Sequence, residues 1–364
     1  MKKTLMTLAL AFATLAGNAQ SSITMKFSDI TVDTVFVENI TKKSVDTLLV
    51  KNGETTYSCD AKDEVQAVEV AFVVDGEVRQ LMTYAVPEEN GIITASRKQL
   101  TYSGSKFFDE YDKYKSIVID DQTRIQELLS EFKKKTLAGE NRDSLVKVIR
   151  PQFFEASKRM EDKNIAYIKA NPNSNVSVVL ISYLQENQEE LLSLISDEVK
   201  KGPFKNVVAE IEASIAENKA LEEAKKNLAE GKPAPEFTLK DINGKDLALS
   251  SLRGKYVVLD FWGSWCGWCI KGIPEMKKYY EKYSGKMEIL GIDCNDTEEK
   301  WRNAVAKHAI PWKHVYCPRK SDVTARYAIE GYPTKIIIDP EGKIVKTVVG
   351  EDPAFYTFLD ELFK

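Results

Sequence analysis

Cys266 and Cys269 stand three residues apart in the run Trp262-Gly263-Ser264-Trp265-Cys266-Gly267-Trp268-Cys269, where an almost unbroken apolar stretch, Tyr256 to Trp262, gives way to a helical pattern. A cysteine in the first turn of a helix meets unpaired N–H groups and the positive end of the helix dipole. Both favour thiolate and lower the pKa below the free value of about 8.5. Cys266 is therefore the expected attacking sulfur, and this chemistry asks that it be open to solvent. Cys269 falls on the same face within reach of Cys266, so it can resolve a mixed disulfide by exchange. Asp260 lies on the apolar stretch before the pair. A desolvated carboxyl has a raised pKa and could trade a proton with Cys269; the alternative is a strand-end acid in a hydrogen bond. Trp265 and Trp268 flank the attacking sulfur and either form an apolar rim for a substrate or pack internally.

Three further cysteines carry weaker signals. Cys294 and Cys317 each end an expected strand. If the two strands are neighbours the sulfurs could form a second disulfide, which requires a Cα separation below about 7 Å; otherwise they are buried thiols. Cys59 reads as a buried small apolar residue. A zinc site would have to complete Cys266 and Cys269 with His308 or His314, yet no second C-x-x-C exists and both histidines stand in segments that read as surface. Ile270 occupies the place where c-type haem attachment needs a His. No metal and no bound organic cofactor are expected; the redox group is the dithiol itself.

The elements that position these residues belong to a long chain. Its 364 residues suggest two or three domains, and 43% hydrophobic with 29% charged residues is ordinary globular composition. Lys+Arg 51 against Asp+Glu 55 leaves a net charge of -4 without a long basic run, which argues against nucleic-acid binding. Residues 1–19 read as a signal peptide: Lys2 and Lys3, an apolar run from Leu5 to Leu15, and Gly17-Asn18-Ala19 as a cleavage site. The run is too short to span a bilayer, so a soluble chain exported to a periplasm or cell envelope is expected.

Residues 20–105 read as a β-sandwich-like domain of short alternating strands, with Asn52-Gly53 and Asp75-Gly76 as two-residue hairpin turns. Residues 106–230 read as helical, with apolar residues such as Ile125, Leu128, Leu129 and Phe132 three and four apart. Gly231-Lys232-Pro233-Ala234-Pro235 marks a linker, after which residues 231–364 alternate strands and helices. The expected fold class is a multidomain α+β and α/β protein whose C-terminal part is a mixed β-sheet flanked by helices.

Phe261-Trp262-Gly263-Ser264-Trp265-Cys266-Gly267-Trp268-Cys269, Pro274 in the following helix and Gly331-Tyr332-Pro333-Thr334 before a strand together resemble the thioredoxin superfamily. The opening Pro233-Ala234-Pro235-Glu236-Phe237 and the longer segment before Gly331 resemble its exported thiol-disulfide oxidoreductases of the TlpA/ResA type. The portion before them resembles the N-terminal extensions of Bacteroidetes relatives. A peroxiredoxin shares the Pro-Ala-Pro-Glu-Phe opening, but Phe261 to Trp265 lacks the Pro that precedes a peroxide-reacting Cys. The resemblance implies a thioredoxin fold, a cis peptide before Pro333, and Tyr332 and Pro333 as the place where a client segment docks. It matches Asp260 to a buried acid. ResA-like proteins often carry an acid shortly after the second Cys, whereas Ile270-Lys271-Gly272 follows here.

The expected activity is thiol–disulfide exchange with protein thiols and disulfides, its direction left open by the unusual Gly267-Trp268 dipeptide. The partners are client proteins and a redox partner, with homo-oligomerisation through the N-terminal region as an option. The alternative is a binding or adaptor protein whose β and helical regions do the main work.

Overall fold

The computed structural model describes residues 21–364. The expected signal peptide lies outside the described residues. The chain divides after Ile215 into two compact units.

The first unit begins with β1 (Ser21–Phe27), β2 (Thr34–Asn39), β3 (Ser44–Leu49), β4 (Glu54–Cys59), β5 (Gln66–Val74), β6 (Glu77–Ala85), β7 (Asn90–Ala95) and β8 (Leu100–Ser103). They form two sheets, ordered β4-β1-β7-β8 and β3-β2-β5-β6. Alternate residues of β5 are buried, as in a sheet with one face on a core. Asp75 and Gly76 both have positive φ and join β5 to β6 as a tight hairpin. Asn52-Gly53 also turns at positive φ but closes only the isolated Lys51–Glu54 bridge; β3 and β4 belong to different sheets, so this turn passes the chain from one sheet to the other.

Gly104, with φ of 90°, ends β8, and the Ser105 side chain accepts the Phe108 N–H to start α1 (Lys106–Leu137). There follow α2 (Arg142–Ala170), α3 (Asn175–Ser182), α4 (Gln188–Leu194), α5 (Asp197–Lys200) and α6 (Lys205–Asn227). Met25, Val68 and Phe72 of the strands share one hydrophobic core with Phe108, Val118, Ile168 and Phe204 of the helical region. The β-rich and helical stretches thus build a common interior rather than two separate ones.

The second unit contains a seven-stranded mixed sheet, ordered β10-β9-β13-β12-β11-β14-β15. Its strands are β9 (Thr238–Asp241), β10 (Asp246–Ala248), β11 (Tyr256–Trp262), β12 (Met287–Cys294), β13 (Lys313–Cys317), β14 (Thr334–Ile338) and β15 (Ile344–Val349). The helices are α7 (Gly267–Lys282), α8 (Glu298–Lys307), α9 (Val323–Arg326) and α10 (Pro353–Leu362). Strand β11 runs parallel to β12 and antiparallel to β14. Val258 and Trp262 face a core shared with Ile273 and Met276 of α7 and Leu359 of α10. Val257, Leu259 and Phe261 face a second core with Val323 and Tyr327. Burial on both faces explains the continuous apolar run that the sequence shows there. The chain adopts the expected multidomain α+β architecture, with a thioredoxin-like sheet and helices at its C-terminal end.

In β7 a Cβ on Gly91 would fall 2.4 Å from the Phe108 ring. Gly91→Ala should therefore cost about 1–3 kcal/mol through overpacking. A lowered urea midpoint checks this, and an unchanged midpoint would mean that the ring yields freely.

Candidate active site

Strand β11 ends at Trp262, and Gly263-Ser264-Trp265 turns the chain so that Cys266 becomes the N-cap of α7. Gly263 is needed because a Cβ there would meet Trp265 Nε1 at 2.4 Å and the Cys294 carbonyl oxygen at 2.9 Å. Ser264 N–H and Oγ–H donate to the two Asp296 carboxylate oxygens at 2.6 and 2.8 Å, and the Trp265 indole donates to the Cys294 carbonyl at 3.0 Å. These bonds tie the turn to the end of β12. Cys266 Sγ accepts the Cys269 N–H at 3.2 Å, so a sulfur occupies the place of a capping oxygen.

Cys266 and Cys269 are joined as a disulfide with a Cα separation of 5.3 Å. Both are only 6% exposed. The expectation of an attacking sulfur open to solvent is not met in this oxidised state: Cys266 lies in the core that contains Trp262 and Ile273. The exposed surface beside it belongs to Trp265 and Trp268, 53% and 64% exposed. Lys271 Nζ lies 4.9 Å from the Trp268 ring centre. The Tyr332–Pro333 peptide is cis. The Tyr332 ring meets Trp265 edge to face at 5.2 Å, which brings the docking residues expected from sequence next to the dithiol turn. Asn295, Lys300 and Arg319 line a groove that continues from Ser264 and Trp265.

Asp260 is buried in the middle of the sheet on the face that carries Val258 and Trp262, and its Oδ1 has no hydrogen-bond partner among the described residues. Burial pushes its pKa up to about 6; the nearby Lys335 cation opposes the rise and the Glu351 carboxylate adds to it. Lys335 is the register partner of Asp260 on β14 and is 2% exposed. Its Nζ lies 2.8 Å from Glu351 Oε2, and the Tyr356 hydroxyl donates to Glu351 Oε1 at 2.7 Å. The sequence reading missed Lys335 and Glu351. A lysine inside the run Thr334-Lys335-Ile336-Ile337-Ile338 was the available signal, since a buried cation needs a buried anion.

Cys294 and Cys317 are register partners on β12 and β13, within hydrogen-bonding reach of one another, and both are free thiols. No second disulfide joins them. They face the core of Phe261 and Tyr327, whereas Cys266 and Cys269 belong to the core on the opposite face, so the sheet separates the two pairs. Cys59 is half-buried in β4. His314, expected at the surface, is buried between the Trp262 and Trp312 rings, and burial lowers its pKa to about 3. Asp293, also missed, is fully buried; burial, then the Asp296 carboxyl, pushes it up to about 9.

The AhpC/TSA family matches residues 231–347. The thiol-disulfide oxidoreductase ResA of Bacillus cereus is 36% identical over 128 residues, 35% of this chain and 73% of that protein. ResA of Bacillus subtilis (strain 168) is 35% identical over 127 residues, 35% of this chain and 70% of that protein. Among solved structures, the thioredoxin domain of a thiol-disulfide oxidoreductase from Bacteroides vulgatus is 34% identical, covering 38% of this chain and 99% of that one with a TM-score of 0.36.

Asp260 makes stability depend on pH. Its folded pKa of about 6 exceeds the ordinary 3.8, so its contribution is fully present below pH 3.8 and is lost as pH rises through 6. Asp260→Asn should be more stable than the parent at alkaline pH by on the order of 2–3 kcal/mol, with the gain fading in acid. Chemical denaturation at a series of pH values checks this; a gain independent of pH would mean that Asp260 does not hold the proton.

Proposed function

Through its C-terminal unit the chain belongs to the ResA-type thiol-disulfide oxidoreductases, and from that membership we propose that it is an exported enzyme exchanging electrons with protein thiols and disulfides through Cys266 and Cys269. The observation that carries this reading is a disulfide whose first sulfur caps α7, beside the exposed Trp265 and Trp268 rings.

A client thiolate attacks Cys266 Sγ, and the Cys266–Cys269 bond breaks with its electron pair on Cys269. The Cys269 thiolate takes the proton of Asp260. A second client thiolate then attacks the client sulfur of the mixed disulfide and releases Cys266 as a thiolate, which the helix N-terminus stabilises. The client leaves as a disulfide and the enzyme as a dithiol. Run backwards, the same steps reduce a client disulfide. Tyr332 and Pro333 dock an extended client segment, and Trp265 and Trp268 give it an apolar rim. The chemistry needs no organic cofactor and no metal, only a redox partner that resets the dithiol.

Export is supported by the Lys2-Lys3 start and the apolar run that follows, and places the enzyme in a periplasm or cell envelope. Among the described residues no helix is long and apolar enough to cross a membrane. The role proposed for the first unit is to bias client choice or oligomeric state.

Cys266→Ser should abolish dithiol-dependent insulin reduction, and Cys269→Ala should accumulate mixed disulfides that a reductant releases. Retained activity in Cys266→Ser, or partners bound equally well without any disulfide, would favour the adaptor reading instead.

A further inference from the structure

The ion pair under the dithiol helix has a feature that the exchange steps do not use. Glu351 lies between β15 and α10, yet its carboxylate is pressed against α7: a Cβ on Gly272 would fall 2.4 Å from Glu351 Oε2 and 2.5 Å from its carboxyl carbon. Gly272 follows Cys269 by three residues, so this gap opens on the same side of the helix one turn later. Glycine inside a helix costs about 1 kcal/mol relative to alanine, and here it admits a carboxylate from another element.

That carboxylate holds Lys335, which is 2% exposed and lies across the sheet register from Asp260. Two carboxyls thus surround one buried cation. With all three ionised the cluster would carry a net negative charge at a desolvation cost, which favours the protonated form of the buried Asp260. Glu351 receives both the Lys335 ammonium and the Tyr356 hydroxyl, while Asp260 Oδ1 receives no hydrogen bond.

We propose that Glu351 is a positioning residue for the exchange reaction: by holding Lys335 as its own partner against α7, it keeps that cation from neutralising Asp260 and leaves Asp260 to carry the proton of Cys269. This rests on the reading of Asp260 as the acid that trades a proton with Cys269. In the step served, a thiolate bonds to Cys266 Sγ, the Cys266–Cys269 electron pair goes to Cys269 Sγ, and the proton moves from Asp260 to that sulfur.

The groups that face this cluster are few. Strand β14 contributes Lys335, the turn before α10 contributes Glu351, and α10 contributes Tyr356. From helix α7, Glu275 acts on Tyr356 by its charge, and Cys269 is buried in the same helix three residues before Gly272. On the β12 side the register partner of Asp260 is Gly291, over which the His314 ring of β13 is packed; burial disfavours the charged form of that ring.

The test follows reduction of the oxidised full chain by dithiothreitol, through tryptophan fluorescence and thiol counting, across the acid and neutral pH range. In the parent the rate carries a pH step that Asp260→Asn abolishes, beside the step from the reagent's own thiol that all variants share. Glu351→Gln should move the Asp260 step to lower pH by about one unit or more, because Lys335 is then left with Asp260 as its carboxylate. Gly272→Ala keeps every charge and suits a helix, and by displacing the Glu351 carboxylate should shift the step the same way. Lys335→Met should move it to higher pH, a reversal that general loosening of the fold would not produce. If Asp260→Asn abolishes the step while Glu351→Gln or Gly272→Ala leaves it at the parent position, the role of Glu351 is overturned and that of Asp260 stands. If Asp260→Asn does not change the profile, both are overturned.

Discussion

The dithiol depends on one constraint: β11 is covered on both faces and hydrogen-bonded on both edges, so its end is a fixed point. A helix that starts from a fixed point has a fixed N-terminus. Cys266 is held there with the positive end of α7 behind it, and Cys269 follows at a spacing that returns its side chain to the same side of the helix. The Ser264 bonds to Asp296 and the Trp265 bond to the Cys294 carbonyl keep the intervening turn from swinging. A redox pair placed on a free loop would lack both the electrostatic support and the geometry.

The same strand divides the chemistry by face. Side chains alternate along β11, so Asp260 points with Val258 and Trp262 toward α7 and α10, while Leu259 and Phe261 point away. The alternation on β12 and β13 sends Cys294 and Cys317 to that other face. Two cysteine pairs therefore sit near one end of one sheet, each in the core on its own face.

Buried charge is the energetic counterpart of this arrangement. Asp260 and Asp293 are both enclosed on the dithiol side of the sheet, and burial raises both pKa values. Each makes the folded state less stable above its pKa than a neutral isostere would, a cost that an enzyme can carry where a proton must be held in reserve. Lys335 offsets part of that cost, and the position of Glu351 decides how much of the offset reaches Asp260.

Much of this was legible in the chain. The apolar run from Tyr256 to Trp262, the helix after it and the Cys266–Cys269 spacing are local patterns, and local patterns report secondary structure and which residues share a face. The Asp75-Gly76 hairpin was readable for the same reason, since positive φ at both positions is a property of the dipeptide. Asn52-Gly53 shows the limit: its turn is local, but whether the flanking strands pair is settled by sheet partners distant in sequence. His314 looked like a surface residue because nothing near it in sequence announces Trp262 and the open space over Gly291. By itself, then, the sequence determined the strand-to-helix junction, the redox pair and the class of fold, because short-range periodicity and backbone stereochemistry suffice for those. Only the tertiary structure decided that Lys335 and Glu351 meet beneath α7, that Cys294 and Cys317 face away from the dithiol, and how little of Cys266 is exposed in the oxidised form. Those outcomes depend on which strands become neighbours and which side chains desolvate one another, and Coulomb and burial energies act between residues close in space, however far apart along the chain.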